Sequence, residues 1–179
     1  MSLDHLLAQK EKPEQCIRES KTLTVLCSLL GLFCLRVIGQ LLVATCHVPF
    51  LPPMTEWQSG LLPYPVLLIC QALIIGIYGK VCIDFYRRNG FFYKLNPVLA
   101  APLRAIGMIY FVAVALRLLI WMTIFEHHPW FSGTIPIFFH FILSTFLIVL
   151  AQNHCRAIAS AAQSSTHHYL ISERRKVSL

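Results

Sequence analysis

The chain has 179 residues, of which 56% are hydrophobic and 13% are charged, and its mean hydropathy is +0.64. This balance is far more apolar than that of an ordinary soluble domain and excludes the water-soluble classes. About 20 apolar residues are needed to cross the roughly 30 Å hydrocarbon core of a bilayer, and the sequence holds four such runs. We therefore predict an all-α integral membrane protein with four transmembrane helices in a compact bundle.

The formal net charge is +7, and the positions of the lysines and arginines along the chain indicate the orientation in the membrane. Apart from Arg36 and Arg117, which interrupt apolar runs, these residues lie before the first run, around the connection between the second and third, and after the fourth, whereas the other two connections contain none. By the positive-inside rule, both termini are predicted to face the cytoplasm of a cell inner (plasma) membrane or an equivalent bilayer. We expect the basic segments to contact anionic lipid headgroups, and we expect no nucleic-acid partner.

The segments follow in chain order from the apolar runs and the residues that interrupt them. Residues 1–21 are predicted to form a cytoplasmic tail whose amphipathic start is broken at Pro13, and residues 153–179 form a second cytoplasmic tail. The transmembrane domain occupies residues 22–152. Its spans are predicted at about 22–46, 64–85, 103–125 and 134–152. We expect Trp57 to anchor the connection 47–63 at the membrane interface, and Lys80 to pair with Asp84 four residues later.

Five polar side chains interrupt the spans at one shared depth: Arg36, Gln40, Gln71, Arg117 and His140. Each lies roughly 6 to 10 residues from the predicted outer end of its span, which is about 9 to 15 Å along a helix. Arg36 and Gln40 are four residues apart and share a helix face. An arginine at membrane depth costs about 2.5 to 3.5 kcal/mol on insertion scales, so both arginines are predicted to face the bundle interior or a wet cavity.

The sequence places no acidic residue at the depth of these arginines. Glu56 and Glu126 are predicted at the outer surface, and Asp84 at the inner one. A guanidinium group without an internal carboxylate favours an external anion, because its planar fork donates two hydrogen bonds to a carboxylate or phosphate. We therefore predict that the five residues bind an anionic group of a partner, a lipid, a small anion or a cofactor. Two alternatives stay open: both arginines extend outward to the membrane surface, or the polar side chains and backbone carbonyls form a purely structural network.

The leading functional prediction is an accessory or scaffold subunit of a larger membrane assembly, held by membrane protein partners or as a homo-oligomer. The alternative is a small transporter or a lipid-handling protein for an anionic substrate. The chain lacks a GxSxG motif, paired carboxylates at one depth and a glycine-rich phosphate loop, so no catalytic residue is assigned. An enzyme that uses His140 as a base stays open as a further alternative.

No metal and no cofactor is predicted. Glu126, His127 and His128 are metal-ligand types, but adjacent histidines point in different directions and the chain has no HxxxH or HExxH spacing. His140 and His154 are fourteen residues apart, about 21 Å along nearly one helix face. That spacing resembles the way b-type membrane cytochromes hold two haems on one helix. A haem carrier is therefore kept as an alternative, although the other spans supply no matching histidine pair.

Overall fold

The structure is a computed structural model that describes residues 3–46, 51–57, 63–94, 97–124 and 134–177. The regular elements in these ranges are all α-helices. They are α1 (Leu3–Cys46), α2 (Met54–Trp57), α3 (Tyr64–Tyr86), α4 (Pro97–Ile124) and α5 (Thr134–Val177). No strand is present in the described part of the chain, so the all-helical prediction is confirmed.

Four of these helices are long and apolar enough to cross a membrane, as predicted. The candidate spans are Cys16–Cys46, Tyr64–Tyr86, Ala100–Thr123 and Ile135–Ala159. The chain is not broken at Pro13 as predicted, since α1 continues through it, and α4 begins before the predicted span and continues through Pro102. A proline removes one backbone hydrogen bond and bends a helix, but the remaining bonds of a long helix hold it together.

Helix α5 is at the centre of the packing. In its most apolar 18-residue window 44% of the residues are buried, compared with 11% in α4. α1 packs against α3 and α5, and α2 lies against α1 and α5, whereas α4 packs closely only against α5 among the described residues. α3 reaches α5 through Tyr78, which donates a 3.1 Å hydrogen bond to the Leu143 carbonyl and stacks on Phe146.

The apolar core lies toward the end of the helices that carries the connection 87–94, which we call the basic end after Arg87, Arg88 and Lys94. The opposite end, which carries α2, is called the non-basic end. The core residues are Leu26, Val81, Cys82, Phe85, Phe146 and Leu150. Large apolar side chains also cover the outward surfaces of the helices, where they are exposed, as in the case of Leu73 and Ile109. Surfaces of this kind suit a hydrocarbon environment.

The connection 87–94 folds over the buried carboxylate of Asp84, which is 2% exposed. Asp84 Oδ1 forms the expected salt bridge with Lys80, and Oδ2 accepts a 3.3 Å hydrogen bond from the backbone N–H of Phe92. Gly90 makes this arrangement possible because its φ is +121°, and a Cβ at this position would collide with the Asp84 carboxylate. The turn is therefore built around a glycine and a satisfied buried charge.

The same connection attaches the end of α3 to α1. The hydroxyl of Tyr93 donates a 3.2 Å hydrogen bond to Glu19 Oε2, and its ring meets Phe85 edge to face. Arg88 donates a 3.2 Å hydrogen bond to Cys16 Sγ. The basic end is thus held together by side chains from three segments.

Candidate functional site

Arg36 is a buried cation with few partners. Its side chain belongs to α1, the residue is 8% exposed, and Nη2 donates a 3.1 Å hydrogen bond to the Trp57 carbonyl. The guanidinium also lies over the ring of Phe139 in α5, 5.4 Å from the centroid. Nε is enclosed and donates to no acceptor among the described residues. At least one of the five N–H donors of this guanidinium is therefore buried without an acceptor in the described part of the chain.

Gln40 and Gln71 join α1 to α3 next to this cation. They are 0% and 3% exposed, and Gln71 Nε2 donates a 2.9 Å hydrogen bond to Gln40 Oε1. Gln40 Nε2 and Gln71 Oε1 are buried without a partner. Exchanging the amide nitrogen and oxygen of both residues reverses the bond and still leaves one amide nitrogen and one amide oxygen unpartnered. The pair therefore always offers one free donor group and one free acceptor.

Trp57 covers α1 beside this cluster. The residue is 8% exposed, and its Nε1 donates a 3.0 Å hydrogen bond to the Pro52 carbonyl. Its ring lies directly on Gly39, where an added Cβ would be 3.0 Å from the nearest ring atom. We expected an interfacial anchor, but Trp57 is buried against protein because a glycine lets a flat ring approach the helix closely.

A second polar group lies between α4 and α5. The hydroxyl of Tyr110 and Nδ1 of His140 are 2.6 Å apart, and the two rings meet edge to face. Arg117 is exposed on α4, seven residues after Tyr110 on the same helix, which is about two helical turns.

The five residues predicted as a layer are thus only partly brought together. The first three form one buried cluster, which we call the arginine–glutamine cluster (Arg36, Gln40 and Gln71). His140 pairs instead with Tyr110 of α4. Arg117 itself is at the surface rather than in the interior, because α4 packs closely against α5 alone. No carboxylate of the described residues forms a salt bridge with either arginine, so both cations are without an anionic partner in this part of the chain.

Three aromatic side chains complete this region through contacts between helices that the sequence did not indicate. Trp57, Phe139 and Tyr110 contact the predicted polar residues from neighbouring elements. Such pairings depend on how helices pack, and only the polar member of each pair interrupts an apolar run. Depth and polarity therefore identified the cations and amides but not the aromatic residues around them.

The two histidines of the proposed haem spacing have different surroundings. His140 uses Nδ1 in its contact with Tyr110, while His154 is 2% exposed and its ring meets Phe85 edge to face. Haem binding stays an untested alternative. In the described ranges no group of three metal-ligating side chains is found, and the side chains of His127 and His128 lie outside those ranges.

Comparison with protein-family models, curated proteins and solved structures finds no significant match to the chain. A functional assignment therefore has to come from the chemistry of the polar layer. Its described residues are one buried guanidinium beside two buried amides and a second guanidinium that is exposed, and neither guanidinium forms a salt bridge with a described carboxylate.

Proposed function

We propose that this chain is an accessory subunit of a larger membrane assembly, embedded in a cell inner membrane or an equivalent bilayer. Four helices of spanning length and exposed apolar surfaces support insertion. Lysine and arginine cluster at the basic end and in the two terminal segments, which supports an orientation with both termini and the connection 87–94 in the cytoplasm. The polar layer then lies in the outer half of the bilayer.

The observation that carries the proposal is the position of Arg117. It is exposed on α4, the spanning helix with the smallest buried share, and it lies seven residues before the end of α4 at Ile124, about 10 Å along the axis. A lone guanidinium at this depth is costly in hydrocarbon. An acidic side chain from a neighbouring helix removes that cost, since an arginine and a carboxylate form paired hydrogen bonds.

The surface around Arg117 suits a helix of a partner protein. Leu116, Leu119 and Ile120 are exposed beside it and present an apolar face. A transmembrane helix packed on this face would bury apolar area and place one aspartate or glutamate opposite Arg117. The depth of Arg117 favours this arrangement over a lipid phosphate, because phosphate groups lie at the membrane surface.

A pull-down in mild detergent tests the partner contact. Tagged wild-type protein is expected to recover its partner in stoichiometric amount, and Arg117→Gln should lower the recovery at least about tenfold, as expected when a charged hydrogen-bonded pair is broken. Arg104→Gln is the matched control, because it removes an exposed arginine from the same helix nearer the basic end. Equal recovery by Arg117→Gln and Arg104→Gln would contradict the proposal.

Site-specific crosslinking in native membranes tests the surface independently of affinity. A photoreactive residue at Ile120, one turn from Arg117, should yield a defined adduct with one partner. The same residue at Leu73, on the exposed face of α3, is the control and should label lipid or several proteins weakly. Labelling of the same partner from both positions would mean that α4 is not the docking surface.

A further inference from the structure

The arginine–glutamine cluster holds a buried positive charge with unused hydrogen-bonding groups on every member. Arg36 Nε, Gln40 Nε2 and Gln71 Oε1 are all enclosed and unpartnered. We propose that this cluster is an occluded binding site for a small monovalent oxyanion that carries one O–H group, and that Trp57 closes it. The proposal does not depend on the partner contact at Arg117.

The free groups define the ligand by their number and type. Arg36 and Gln40 offer N–H donors, which call for two acceptor oxygens, while Gln71 offers an oxygen, which calls for one O–H donor. The formal charge of the cluster is +1, since both amides are neutral. A monoanion with two acceptor oxygens and one hydroxyl matches all three properties, and hydrogen carbonate is the simplest member of this class.

A water molecule matches the hydrogen bonds but leaves the charge uncompensated. A buried ion without a counter-charge is costly in a medium of low polarity, and a single hydrogen bond to the Trp57 carbonyl offsets only part of that cost. A bound monoanion neutralises the guanidinium and satisfies the same donors. The charge therefore decides in favour of an anion.

The site is closed in this structure because the three unpartnered atoms are inaccessible to solvent. Trp57 contributes to the closure in two ways: its carbonyl occupies one guanidinium N–H, and its ring covers Gly39. In the proposed binding step, helix α2, which has four residues, moves away, and a ligand oxygen takes over the guanidinium N–H that the Trp57 carbonyl accepts here.

Ligand-dependent stabilisation of the purified protein tests the site. Thermal unfolding is measured in detergent at fixed pH and ionic strength with added hydrogen carbonate, with chloride as the comparison anion. Tryptophan emission is followed in parallel in a Trp121→Phe/Trp130→Phe background, where Trp57 is the reporter. We expect saturable stabilisation and a change in Trp57 emission with hydrogen carbonate, and at least about tenfold weaker binding of chloride.

Three variants connect the response to the cluster. Arg36→Gln should weaken hydrogen carbonate binding about tenfold or more, whereas Arg104→Gln, which removes an exposed arginine near the basic end, should leave it unchanged. Gln40→Met/Gln71→Met removes both amides, so neither is left unpaired, and it should abolish the hydrogen carbonate response. This double variant replaces Arg36→Gln if Arg36→Gln is too unstable to measure. Gly39→Ala should speed binding by displacing the Trp57 ring, with Gly31→Ala as the control, because a Cβ there meets nothing within 4 Å.

Several results would overturn the proposal. Absence of a hydrogen carbonate effect on the wild-type protein would do so, as would an equal effect of chloride, since Gln71 would then have no role. An unchanged response in Arg36→Gln or in the double glutamine variant would place the anion elsewhere. These outcomes are distinct from a failure of partner recovery, which concerns Arg117 alone.

Discussion

The buried charged side chains at the two ends of the molecule differ in how completely their hydrogen-bonding groups are paired. At the basic end, the Asp84 carboxylate has a lysine on one oxygen and a backbone N–H on the other, and a turn folded around it. At the non-basic end, the Arg36 guanidinium has one carbonyl and one aromatic ring, with an enclosed N–H left over. Both side chains are almost completely buried, so burial alone does not explain the difference.

This difference in pairing distinguishes a buried charge with a structural role from one with a binding role. Buried polar groups in native proteins are nearly always paired, and a satisfied charge such as Asp84 stabilises a particular local fold. An underpaired charge lowers stability and persists where something else compensates for it. We therefore interpret Lys80, Asp84 and the connection 87–94 at the basic end as a structural clasp. The non-basic end is interpreted as the place where ligands or partners bind.

The largest loss of stability is expected from a substitution of Gly90, because the turn over Asp84 has no room for a side chain at this position. Gly90→Ala forces a side chain onto a residue with φ of +121° and pushes a methyl group into the Asp84 carboxylate. Backbone strain of this kind costs about 1 to 3 kcal/mol, and the displaced carboxylate adds to that loss. Thermal unfolding in detergent measures it. Gly79→Ala is the matched control, since a Cβ there meets nothing within 4 Å, and equal effects of both variants would show that the clasp contributes little.

A smaller effect is expected at the glutamine pair, and its pattern tests the opposite end. Gln40→Met should lower the free energy of unfolding by about 1 to 2 kcal/mol, because it leaves all of the Gln71 amide buried without a partner. Gln71→Met should cost a similar amount, whereas the double variant should be close to wild type. Urea or thermal unfolding of the four proteins gives the coupling energy. Additive losses would mean that the amides act separately and that no shared polar cluster exists.

The sequence predicted the helical framework well because apolar runs of spanning length have few alternative structures. It also predicted the Lys80–Asp84 pair, since residues four apart on a helix are neighbours. It did not predict that Arg117 is exposed, because this depends on which helices contact α4. The burial of Trp57 was missed for a related reason, since it requires Gly39 on another helix to lie beneath the ring. Contacts between residues of one helix could therefore be predicted from their spacing in the sequence, whereas contacts between helices could not.

The smallest effect is expected at the edge of the clasp, where Tyr93 meets Glu19. Partial burial and the nearby negative charge of Glu19 both raise the pKa of Tyr93 above its usual value of about 10. A group whose pKa is higher in the folded state stabilises the fold below its unfolded pKa, and the contribution is lost as the pH rises through the folded pKa. Attachment of the connection 87–94 to α1 should therefore be unchanged at neutral pH and weaken only above about pH 10.

Two measurements check this pH dependence. The difference in tyrosinate absorbance between wild type and Tyr93→Phe isolates the titration of this one hydroxyl, which should occur at higher pH than in a model tyrosine. Hydrogen exchange of residues 87–94 should then increase over the same pH range in the wild type, relative to the base-catalysed exchange of a free peptide. Tyr93→Phe lacks the ionisable group and should show no such additional increase. A Tyr93 that titrates at its ordinary pKa, or equal exchange profiles in both proteins, would remove the Glu19 contact from the clasp and leave Asp84 as its main support.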